Sequence, residues 1–128
     1  MTTTGPIVTM PDGLPGFEQC RRFIVVTSET LQPFTCLQSL DEPRPSFLAL
    51  DPRQIVPDYA ASLGDGDRAR LEASDGDALL WLAFVCVDSE QATVNLRAPV
   101  TINARTMRGI QVIPSDSTYS TNHPLPLD

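Results

Sequence analysis

The side chains best suited to chemistry in this sequence are few and far apart. The single histidine, His123, lies in a proline-rich stretch near the end of the chain, so a hydrolase built on a Ser-His or Cys-His pair would have to be assembled from that tail. Cys20, Cys36 and Cys86 are an odd number set far apart, with no second cysteine or histidine at a ligand spacing, which supports neither a disulfide framework nor a zinc site. Cys36 and Cys86 fall in apolar stretches and read as small buried hydrophobes. The clusters Asp65-Gly66-Asp67 and Asp75-Gly76-Asp77 invite a calcium reading. An EF-hand loop, however, needs further oxygen ligands at fixed positions and a distal glutamate, and Arg68, Ala69 and Arg70 occupy that space. Turn chemistry is the better reading. The same Gly-Asp run lacks the lysine and the downstream hydroxyl of a phosphate loop, and no pair of carboxylates is spaced as an acid and a base. The expectation is a protein with no catalytic residues, no metal and no cofactor.

Charge points the same way. All nine basic residues are arginines, there is no lysine, and the net charge is −7, so phosphates would meet few cations in a repulsive field. Direct nucleic-acid binding is disfavoured; solubility, or a basic protein partner, accounts for the acidity. No window approaches the ~18 apolar residues of a membrane span, and the first ten residues lack the basic and apolar regions of an export signal. With its unpaired cysteines, the chain is expected in the reducing cytoplasm, away from membranes.

The elements that would position any site are short. The 128 residues suit one domain, 1–128, with 1–6 and 120–128 loosely ordered, and twelve prolines argue against long helices. Ile7 to Met10 is β-compatible and ends at a Pro-Asp-Gly turn. "RFIVV" (22–26) reads as a strand covered on both faces, and "FTCLQSL" and "FLAL" follow, separated by a loop holding Pro43 and Pro45. A short helix is expected from Pro57, with Tyr59 and Leu63 on one face and Gly64 as its stop. A second is expected from Asp67 as N-cap, with Leu71 turned inward and an end near Gly76. The ten apolar residues "ALLWLAFVCV" (78–87) read as a buried central strand, with Trp81 packed inside. In "ATVNLRAPVTINAR" apolar and polar residues alternate, as on a sheet with one wet face, and "GIQVI" (109–113) returns as the next strand. The fold class is therefore mainly β: a small antiparallel β-barrel-like meander with one or two short helices.

The order of the motifs adds to this reading. "IVTMPDGLPGFEQCRRFIVV", "PFTCLQSLDEP" with "FLAL", "VPDYAASL", "TVNLRAPVTINARTMRGIQVI" and "YSTNHPL" follow one another from Ile7 to about Leu125, and the series closely resembles the FliW family of flagellar assembly factors. The resemblance implies a non-enzymatic β-barrel with two protein partners. Members bind flagellin in the cytoplasm; once flagellin is exported they bind CsrA, a basic RNA-binding translational regulator, and relieve its repression of flagellin messenger RNA. A free monomer is expected. Members also open with a further strand, whereas only "MTTTGP" precedes Ile7, so either the start site is misplaced or the barrel lacks a strand and leaves an edge open.

The motif positions give the expected partner contacts: Leu14 and Phe17 from the Gly-Leu-Pro-Gly-Phe element, Gln38 from Leu-Gln-Ser, Asp58 and Tyr59 from Pro-Asp-Tyr, and the strand-borne Asn95 and Asn103. Each also has a structural reading, as a barrel plug for Phe17 or as backbone partners for the asparagines. The competing functional reading is a barrel that binds a small molecule in a cavity lined by Phe23, Phe47 or Trp81.

Overall fold

The computed structural model describes residues 5–88, 90–113 and 118–125. Short β-branched and aromatic runs cut by prolines form nine strands among these residues: β1 (Ile7–Thr9), β2 (Arg22–Val26), β3 (Phe34–Ser39), β4 (Ser46–Leu50), β5 (Leu79–Val87), β6 (Ala92–Val94), β7 (Val100–Asn103), β8 (Arg108–Gln111) and β9 (His123–Leu125). The helical residues are a 3-10 turn, Pro52–Gln54, and α1 (Asp65–Arg70). Seven strands in the order β4-β3-β2-β1-β8-β7-β5 close into a barrel through an antiparallel β4–β5 pairing. The long β5 runs on past this wall and carries β6 and β9 as a side sheet.

The mainly β barrel matches expectation, with one seam of the other polarity. β1 meets β8 in parallel at Thr9 and Arg108, and the Thr9 amide donates to the Met107 carbonyl at 2.9 Å. This contact occupies the β1 edge that the short N-terminus suggested would stand open. Alternation along the strands sends Val8, Phe23, Val25, Leu37, Val100 and Ile102 into one apolar interior, against which Phe17, Phe47, Phe84 and Met107 pack. The expected candidates for a cavity lining, Phe23 and Phe47, are thus part of the packing.

Two walls of the barrel are covered from outside. Leu71, Ile110 and Val112 form a second cluster with Leu63, Ala73 and Trp81, which puts Trp81 in a packing role. Leu50, Ala83, Val94 and Leu96 form a third under Ile55, Tyr59, Tyr119 and Leu125.

Several local expectations give way to tertiary contacts. No helix forms at Pro57–Leu63. Tyr59 is drawn instead onto the barrel, where its ring stacks on Tyr119 at 4.5 Å and its hydroxyl donates to the Leu96 carbonyl at 2.6 Å. A 3-10 turn lies earlier, at Pro52–Gln54, capped by Asp51 accepting the Arg53 amide. Gly64 starts α1 rather than ending a helix, and Asp67 sits in its first turn, accepting the Gly64 amide at 3.4 Å; Leu71 does point inward, fully buried. β5 is central but not wholly buried: Leu82 and Ala83 are covered, whereas Leu80 is 40% and Val87 64% exposed, because the strand ends overrun the elements packed on them. Cys20 is the buried cysteine, and Cys86 is exposed. Residues 123–125, expected in a loose tail, pair with β6 as β9.

Candidate partner-binding surface

The Pro11–Phe17 turn is wound from short backbone bonds: Gly13 N–H to Met10 O at 3.0 Å, Phe17 N–H to Leu14 O at 2.7 Å and Cys20 N–H to Phe17 O at 3.0 Å. This winding drives Leu14 into the interior, where only 2% of it is exposed. Phe17 is half-buried, edge-on to Phe47 with ring centres 5.6 Å apart, and Phe47 in turn stacks on Phe84 at 5.1 Å. Both residues therefore pack into the barrel core at the β1–β2 connection, and of the two only Phe17 keeps an accessible part.

Gln38 points outward from β3, on a different wall. Its Nε2 donates to the carbonyls of Ser39 and Arg44, both at 3.1 Å, and its Oε1 accepts from the Ser46 hydroxyl, so its amide ties the β3–β4 turn together. Beside it lies a shallow groove of about 340 Å³ lined by Ile24, Gln38, Ser39, Leu40 and Arg44. At its edge Asp41 accepts the backbone amides of Arg21 and Arg22, each at 2.9 Å, and the Arg22 guanidinium at 3.0 Å. Those amides, then the guanidinium, hold its carboxyl below the usual carboxylate range.

Asp58, Tyr59 and Asn95 lie near one another on the side-sheet flank. Asp58 is exposed. Burial, then the neighbouring Tyr119, pushes the Tyr59 hydroxyl up to about 12, so it is a hydrogen-bond donor throughout the neutral range. Asn95 Oδ1 accepts the amides of Arg97 and Ala98, both at 3.1 Å, shaping the bend that leads out of β6.

Asn103 is the clearest departure from the expected wet face: all four residues of β7 are buried, and Asn103 is completely so. The segment after α1 crosses over it. Asn103 Nδ2 donates to Leu71 O at 3.2 Å and Asp77 Oδ2 at 3.1 Å, and its Oδ1 accepts the Arg105 amide at 3.0 Å. Asp77 completes the network by accepting from Arg105 Nε at 2.9 Å and from the Ser74 amide at 2.8 Å. The Arg105 guanidinium first, then the Ser74 amide and Asn103, hold the Asp77 carboxyl well below its ordinary value. A carboxylate lowered in this way stabilises the fold above its unfolded pKa of about 3.9, and that contribution is lost as pH falls through the lower folded value. Asp77→Asn is accordingly expected to flatten the acid limb of stability against pH below about pH 4. Urea midpoints across that range check this, and an unchanged slope would remove Asp77 from the acid response.

The seven expected contacts thus fall into separate places: the core turn, the β3 wall, the side-sheet flank and a buried network. "RFIVV", read as covered on both faces, is so at Phe23, Ile24 and Val25, whereas Arg22 is exposed and Val26 partly exposed. Among the described residues, no three His, Cys, Asp or Glu side chains are placed to hold a metal, and no helix is long and apolar enough to cross a membrane.

A small closed β-barrel with a packed interior, offering side chains on its outer walls, is the class of protein these features define. The profile described as FliW protein matches residues 2–125, and the chain belongs to the FliW family. Among its relatives, the flagellar assembly factor FliW of Geobacter sulfurreducens is 36% identical over 120 residues, covering 92% of this chain and 75% of that protein. The flagellar assembly factor FliW of Caldanaerobacter subterraneus subsp. tengcongensis is 34% identical, covering 93% and 81%. A crystal structure of the flagellar assembly factor FliW superimposes with a TM-score of 0.86 at 30% identity, covering 94% of this chain and 86% of the other.

Proposed function

We propose that this protein is a cytoplasmic regulator of flagellar assembly that works by binding other proteins. In this reading it binds flagellin, and when free it is a monomer that binds the translational regulator CsrA and antagonises it, so that translation of flagellin messenger RNA rises. The carrying observation is the likeness to proteins named flagellar assembly factor FliW, at 36% identity over 120 residues in one case. Two physical features support it. The aromatic rings that would line a ligand cavity pack into the interior instead, which favours recognition on the outside over a small-molecule barrel. The net charge of −7 suits a basic RNA-binding partner, because an acidic protein docked beside an RNA site repels incoming phosphates without having to cover that site.

The test is binding of the purified full chain to the cognate flagellin and CsrA. Each is expected to be retained alone, flagellin is expected to lower capture of CsrA, and the CsrA complex is expected to weaken as salt rises. A folded protein that retains neither partner would sink the reading.

A further inference from the structure

We infer that the outer wall formed by β1 to β4 is a docking surface for a protein segment that presents an apolar face with carboxylates at one end. The inference rests on the reading that the protein binds flagellin, which serves as the probe.

Because Val8, Phe23, Val25, Leu37, Phe47 and Ala49 point into the barrel, their neighbours in sequence must point out. Ile7 lies opposite Ile24, and Val26, Cys36 and Leu48 form one row across three strands. These five residues make a continuous apolar wall. The outer faces around β5, β7 and β8 pack under the segment after α1 and under Tyr59 and Tyr119, and that cover reaches Phe34 and Leu50 at one end of β3 and β4; none of these five joins a packed cluster among the described residues. Ile7 is 50% exposed, Val26, Cys36 and Leu48 are partly exposed, and Ile24 between them is buried, at 9%. A sheet face that meets only water normally alternates to polar residues, so an apolar one marks a surface completed by something else.

The charges at one end of the wall say what that something is. Arg22 and Arg44 stand there with side chains 60% and 66% exposed. Asp41 keeps its two backbone amide bonds if Arg22 turns away from it, and the Arg44 partner, Glu42, is 82% exposed, so neither guanidinium is firmly committed. Two planar guanidinium groups beside an apolar floor suit carboxylates adjoining an apolar segment. The Gln38 amide is spent on main-chain and Ser46 bonds, so it shapes the groove while the arginines supply the polar recognition. A second copy of the chain fits less well, since each carries a net charge of −7.

The experiment measures calorimetric binding of flagellin and CsrA to the full-length wild type, to Ile7→Glu and to Arg44→Glu, with circular dichroism as the check on folding. Both positions are exposed, so both variants are expected to fold, and each is expected to weaken flagellin binding about tenfold while leaving CsrA binding within about twofold. Wild-type binding of flagellin with undiminished binding by both variants overturns this inference alone, as does a loss confined to CsrA. A wild-type dimer in sedimentation that Ile7→Glu dissolves, with flagellin binding intact, assigns the wall to a second copy and also overturns it. A wild type that binds no flagellin removes the functional reading, and this inference with it.

Discussion

Asn103→Leu is expected to lower the unfolding free energy by about 2–4 kcal/mol, read from urea denaturation at neutral pH. The side chain is fully buried, so its three hydrogen bonds have no solvent replacement. Leucine leaves the Arg105 amide without the Asn103 acceptor and removes one donor each from Leu71 O and Asp77. The losses are unequal. Leu71 O still accepts from the Thr106 hydroxyl at 2.9 Å, and Asp77 still accepts from Arg105 Nε, so the Arg105 amide carries the largest penalty. The network also holds the segment after α1 over Ile110 and Val112, so loosening it costs apolar burial as well. A loss below about 1 kcal/mol would show that this segment is held by its apolar contacts and not by Asn103.

Gly13→Ala is expected to cost about 3 kcal/mol or more, and Gly16→Ala about 1–2 kcal/mol, although the two glycines belong to the same turn. Both have positive φ, +64° at Gly13 and +84° at Gly16, which burdens any residue with a Cβ. Only Gly13 is also crowded. A Cβ there would sit 2.6 Å from Phe17 O and 2.7 Å from Glu18 Cα, and backbone atoms cannot swing aside as a flexible side chain does. Relief requires the turn to open, and Leu14 leaves the interior with it. At Gly16 there is nothing within 4 Å, so the conformational term stands alone. Thermal melts of the two variants separate these effects; equal losses would mean that the close approach at Gly13 is not what fixes the turn.

Both variants probe motifs that were visible before the structure, yet the structure explains them differently. "GLPGF" could be recognised as a rigid turn, and the turn is there; that Leu14 ends inside the barrel follows from the winding of residues 10–20, which brings in strands distant in sequence. Asn103 looked like a polar residue on a wet face because its neighbours alternate. Period-two alternation separates two faces of a strand without stating what lies against either, and here the loop that buries Asn103 begins some thirty residues earlier, at Leu71. On β2 the unbroken apolar run was the better guide: Ile24 faces outward yet is buried, and Val26 is only partly exposed. At Pro57–Leu63, weak local helix signals lost to the placement of Tyr59 on the barrel.

Strand positions, turns, the acidic balance and family membership could all be read from the chain, because they depend on residues close together in sequence or on their composition and order. Closure through the β4–β5 pairing, the parallel β1–β8 seam, the covering of two walls by distant segments, and the burial of Asn103 could not. Each depends on which strand or loop arrives opposite a given face, and that is a property of long-range pairing which no local pattern encodes.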